Sequence, residues 1–171
     1  MRISFFRKSN NANAPEIIVH RTKEGTLFEI IAAVLVVIMW GIIIATYADL
    51  PDNIGTHYDL CGHVNRTGNK IELIALGIVG TLTVAFMMAV CYSPKLINLK
   101  IKSPTVEHYK LAIRMMRVMG VEMAALFVFI VLQMSGICPP DGKLMSIVPV
   151  IIVIVWLATV LIFIILLRRI R

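Results

Sequence analysis

The sequence predicts an all-α integral membrane protein with four transmembrane helices, both termini on the cytoplasmic side, and a compact polar outer loop between the first two helices. Three observations carry that expectation. Of 171 residues, 58% are hydrophobic and only 16% charged, with a mean hydropathy of +0.85, whereas soluble domains usually carry about 25% charged residues. The apolar residues are gathered into four runs, 27–48, 71–92, 113–135 and 144–167, each long enough to cross a hydrocarbon core of roughly 30 Å as a helix. Finally, the basic residues are unevenly divided between the connections, which sets the threading.

Residues 1–26 read as a cytoplasmic, partly flexible segment, in which "SNNANAP" (9–15) is turn chemistry. The first run starts after residue 26 and is too long for a signal-peptide core, so it reads as a span. Residues 27–92 form one unit: a span, a polar loop over 49–70, and a second span. A basic cytoplasmic connection (93–112), spans three and four (113–167) and a basic tail (168–171) complete the chain. Counting the 17 Lys and Arg, those of the amino-terminal segment, the 93–117 region and the tail place fourteen on one side. Only Arg66, Lys70 and Lys143 fall on the other. Cytoplasmic loops carry the Lys/Arg excess, so the polar loop faces outward and the basic face meets the anionic inner leaflet. The net charge of +7 comes without interleaved aromatic and basic residues, so nucleic acid is not an expected partner. The lipid bilayer is.

Backbone groups in lipid must be satisfied within each span, and close helix packing there relies on small residues. Gly41 and Gly77 fall at similar depth on the first and second spans and could meet there; the alternative is that Gly is simply common in membrane helices. Glu122 is the one carboxylate well inside a span, with Thr83 and Thr159 at similar depth as hydroxyls that can reach it. Intramembrane ionisable residues are expensive and often functional, so the readings are a buried structural carboxyl or part of a proton or ligand path. Cys61 and Cys138 share the outer, oxidising side and are candidates for a disulfide, while Cys91 lies at the inner end of the second span.

"LPDNIGTHYDLCGHVNRTGNK" (50–70) is the most polar stretch of the outer side. Pro51 and Asp52 are turn formers, and Gly62 and Gly68 permit tight turns; these residues are expected to shape the loop. Asp52, His57, Tyr58, His63 and Lys70 are the candidate ligand or partner contacts, with Tyr58 at headgroup level and Lys70 anchoring the loop. His57 and His63 are six apart, which suits neither a helical nor a strand ligand pair, so no metal site is assigned. No nucleophile–base set, phosphate loop or paired carboxylates with a defined context appear in the sequence. A non-enzymatic protein without cofactor is expected.

The same stretch resembles the signature of a small bacterial membrane domain of unassigned activity, found at the front of SdpI-type immunity proteins. Leu50, Pro51, Asp52, Ile54, His57, Tyr58, Gly62, Val64 and Lys70 follow that signature in order, while Gly55 stands for its second proline and Asn65 for its acidic residue. The resemblance implies a location in the bacterial plasma membrane and a role in sensing, or immunity to, an extracellular toxin or envelope peptide. SdpI-type proteins also carry a further multi-helix half with its own polar motif, which is not evident here. The alternatives are a regulator or assembly partner that docks a cytoplasmic protein on its basic face, and a small transporter subunit built around Glu122.

Overall fold

The computed structural model describes residues 6–7, 16–17, 21–59, 63–97, 99, 101, 104–138 and 143–170. Its elements in chain order are β1 (Phe6–Arg7), β2 (Glu16–Ile17), α1 (Lys23–Thr46), β3 (Asn53–Tyr58), β4 (Val64–Asn69), α2 (Ile71–Val90), a 3-10 turn at Pro94–Leu96, α3 (Val106–Met134) and α4 (Lys143–Arg169). Four of these helices are long and apolar enough to cross a membrane, as in a multi-pass membrane protein. The all-α expectation needs one correction. The polar stretch between α1 and α2 is an antiparallel β-hairpin, β3 against β4, and β1 pairs with β2.

Helix starts follow from local chemistry. Thr22 caps α1, its hydroxyl accepting from the Gly25 N–H at 2.9 Å, with Glu24 in the first turn. The Asn69 side chain accepts from the Ile71 N–H at 2.9 Å as α2 begins. Helix α3 starts at Val106, seven residues before the apolar run, so the 93–112 connection is shorter than expected. The reason is a capping box in which His108 takes the place of the usual Glu or Gln, its Nδ1 accepting from the Thr105 N–H at 3.1 Å. That cap lets a mixed polar turn continue the apolar helix outward.

Helix α3 is the hub. It packs against α1, α2 and α4, whereas α4 packs extensively on α3 alone among the described residues. The arrangement is therefore a three-helix core with α4 laid along one side, its apolar surface open as a lipid-facing helix requires. The interior has two layers. Met39, Ile43, Leu73, Val131 and Met134 surround Ile54 of β3 at the hairpin end, and Ala32, Val84 and Ala124 meet nearer the other end.

Small residues do set the helix spacing, but not by the expected pair. Gly41 faces open space, while a Cβ on Gly77 would lie 2.7 Å from Cδ1 of Ile43 and 3.2 Å from the Trp40 ring. Gly77 thus receives α1 side chains instead of a facing glycine, and the Trp40 indole N–H donates to Thr81 at 2.9 Å one turn further along α2. Replacing Gly77 with Leu should destabilise the protein by about 1–3 kcal/mol through overpacking. Gly41→Leu should be neutral or stabilising by up to about 1 kcal/mol through helix propensity. Thermal unfolding in one detergent compares the two.

Candidate functional site

The hairpin begins where α1 ends. Pairing runs Asn53–Asn69, Ile54–Gly68 and Gly55–Thr67, then shifts to His57–Arg66 and Tyr58–Val64. The shifts leave Thr56 and then Asn65 out of register, so each strand carries one extra residue. Such bulges bend and twist a ribbon and re-aim its side chains. Gly55 leaves room for Tyr58: a Cβ there would sit 2.7 Å from the phenol oxygen, and the Tyr58 hydroxyl donates to the Gly55 carbonyl at 3.0 Å. Gly68 acts by close approach as well. A Cβ there would overlap the Glu72 carboxylate at 2.1 Å, which leans over the strand to pair with Arg66 at 3.4 Å.

Two devices fasten the hairpin to the helices. Ile54 is 5% exposed and enters the core layer formed by α1, α2 and α3, a burial of about 1.5–3 kcal/mol. Lys70, immediately before α2, donates its backbone N–H to the Asp52 carbonyl at 2.9 Å and its Nζ to the Leu50 carbonyl at 3.2 Å. The same Nζ lies 3.3 Å from the Asp52 carboxylate and 5.5 Å from the Tyr47 ring centroid. One ammonium therefore ties the end of α1 to the start of α2.

The expected contact residues divide accordingly. Lys70 anchors the loop. Asp52, whose side chain is 87% exposed, is paired with it, so its first role is in that tie. Tyr58 is half-buried against its own strand. His63 pairs with Asp59, ring Nδ1 to carboxylate at 3.2 Å, while the Asp59 N–H donates to the His63 carbonyl at 2.9 Å; together they close the base of the loop. His57 is exposed, and its ring makes no hydrogen bond or ion pair among the described residues. Pro51 is exposed beside the start of β3. Gly62 and Cys61 lie outside the described residues. Cys138 carries a free thiol, its N–H held by the Leu132 carbonyl at 3.1 Å just past α3; Cys61, its candidate disulfide partner, is outside the described residues. Among the described residues no three His, Cys, Asp or Glu side chains converge.

Within the spans, the Thr159 hydroxyl of α4 donates to Glu122 Oε1 of α3 at 2.6 Å, leaving Thr83 out of the contact, and Glu122 Oε2 is buried without a hydrogen-bond partner among the described residues. The end of the bundle away from the hairpin holds a polar cluster that sequence reasoning did not single out. Arg117 of α3 is 5% exposed. Its Nη2 lies 3.5 Å from the Glu29 carboxylate of α1, at ion-pairing distance but without hydrogen-bond alignment, since Nε and Nη2 have no hydrogen-bond partner among the described residues. The guanidinium also stands 5.8 Å from the Tyr92 ring centroid, and the Tyr92 hydroxyl donates to Glu29. Gly25 makes the space, since a Cβ there would fall 2.3 Å from the guanidinium carbon. One turn earlier on α3, exposed Arg114 pairs with Glu24 at 2.7 Å. The available signal was a carboxylate just inside one span matched by a cation just inside another.

A family profile described as "Domain of unknown function (DUF1648)" matches residues 34–81, less than a third of the chain. The match takes in the second half of α1, the whole hairpin and the first half of α2. No curated protein and no solved structure matches the chain.

Removing one partner of a buried ion pair strands the other charge, at a cost of about 3–5 kcal/mol, whereas exposed pairs contribute about 0–1 kcal/mol. Glu29→Gln should therefore lower the unfolding temperature of the purified protein strongly, and Glu24→Gln hardly at all. Equal effects of the two substitutions would show that Arg117 is not held by Glu29.

Proposed function

We propose that this chain is a multi-pass protein of the bacterial plasma membrane with the hairpin outside and both termini in the cytoplasm. In this reading the hairpin recognises an extracellular ligand, an envelope-active or toxin peptide, and the protein confers immunity or sensing as SdpI-type proteins do, without catalysis. The orientation rests on the fourteen-to-three division of Lys and Arg.

The observation that carries the ligand reading is the division of labour inside the hairpin. Ile54 and Lys70 fasten it to three helices, while His57 stands exposed and unpaired among the described residues on a bulged segment. A plain connector between two spans needs only a few residues and no buried anchor. A cap held rigidly against the helices can present fixed polar groups to a ligand and pass a displacement to α1, α2 and α3.

His57→Ala should leave abundance and membrane insertion unchanged, because the ring makes no contact that the fold uses. It should abolish the protection that the wild-type gene restores to a deletion strain challenged with envelope-active peptides. Full complementation by His57→Ala would move the functional surface to the basic end of the bundle and favour docking of a cytoplasmic regulator.

A further inference from the structure

Helices α1 and α2 are fastened together at the hairpin end but part along the other half, where α3 lies behind both. The opening is a groove of about 450 Å³, with walls built from small and apolar side chains such as Ala33, Ala85 and Met88. Its charged and hydroxyl groups sit at the ends: Glu29 and Tyr92 at one, Thr81 at the other. Thr81 is already engaged, by the Trp40 indole and the Gly77 carbonyl. The tyrosine hydroxyl and Glu29 are engaged with each other and with Arg117. The walls between are apolar, and the only charged group lining the groove is at the Glu29 end.

Its dimensions suit one kind of occupant. From Tyr92 to Thr81 the groove follows eleven residues of α2, roughly 16 Å at 1.5 Å per residue. That is about half of a hydrocarbon core of roughly 30 Å, the depth of a single leaflet. A second transmembrane helix would run the full depth and would collide with the closed half, where Ile43 and Trp40 fill the space over Gly77. A single acyl chain ends where the groove ends.

The charge at the amino-terminal end of α1, one to two turns beyond Glu29, selects the headgroup. Glu24 and Glu107 are taken by Arg114 and Lys110. Arg21 and Lys23, exposed where α1 begins, have no carboxylate partner among the described residues. We infer that the groove between α1 and α2 is a binding site for one phospholipid with an anionic headgroup, its acyl chain along the alanine walls and its phosphate beside Arg21 and Lys23. The lipid would then occupy the leaflet on the side away from the hairpin, independently of what the hairpin binds.

The test uses the full chain in nanodiscs of equal parts phosphatidylglycerol and phosphatidylcholine with identical acyl chains, released in a native mass spectrometer. The wild-type protein should retain one phosphatidylglycerol in preference to phosphatidylcholine by about tenfold or more, given two uncompensated cations at that end of α1. Filling the groove from either wall, with Ala33→Trp or Ala85→Trp, should remove the retained lipid while helix content by circular dichroism stays unchanged; both positions are exposed. Arg21→Gln with Lys23→Gln should keep a lipid but erase the preference. Equal retention of both lipids by the wild type would overturn the proposal. So would unchanged retention by a folded groove-filled variant, or a dimer that the tryptophans dissociate.

Discussion

Ile54 entering the core of the helices is the contact on which the hairpin end of the molecule depends. A two-stranded ribbon is marginal in water on its own, and β3 and β4 together offer few apolar side chains. What holds them is the pocket formed by Met39 and Ile43 of α1, Leu73 of α2, and Val131 and Met134 of α3. The same contact sets the separation of the three helix ends, since each contributes a wall. Lys70 completes the closure by binding the Leu50 carbonyl and the Asp52 carboxylate across the base of the hairpin. Fold and candidate site are therefore one construction here, and a change that expels Ile54 loosens both.

The other end is organised by electrostatics. Lipid supplies no hydrophobic force between helices, and an uncompensated guanidinium within a span is costly. Arg117 is tolerated because α1 brings Glu29, the Gly25 backbone leaves space, and Tyr92 lies beside it. Arg117 and Arg114 both reach α1, Glu122 reaches α4, and Gly120 receives Met88 of α2. The polar and small groups of α3 thus account for its central place. With both outer helices drawn toward α3 at this end, α1 and α2 are free to part, and the groove is the consequence.

Much of the fold was legible in the sequence, because four apolar runs of membrane length admit few alternatives. The observed helices differ from those runs by a few residues, except at the start of α3, where a Thr–His cap extended the helix through polar residues. The strands were not legible. "NIGTHY" and "VNRTGN" lack a period-two apolar pattern, carry bulges, and bury only Ile54. Position just before the second span singled out Lys70, whose Nζ binds the Leu50 carbonyl. The Glu122–Thr159 contact could be read from depth, since both are isolated polar groups inside spans. The Gly41–Gly77 pairing could not, because depth does not fix rotation about the helix axis: Gly41 faces outward. Arg117 and Glu29 were hidden by counting each as a residue near a loop.

The central claim is that β3 and β4 form a structured cap fixed to the helices, and hydrogen–deuterium exchange of the full chain in nanodiscs tests it most directly. The account predicts that the ladder amides of β3 and β4, with the Lys70 N–H, exchange as slowly as the adjoining ends of α1 and α2. It also predicts that Ile54→Ala releases the hairpin amides while those around Arg117 stay protected. Exchange of the β3 and β4 amides at the rate of an unstructured peptide in the wild-type protein would contradict the account.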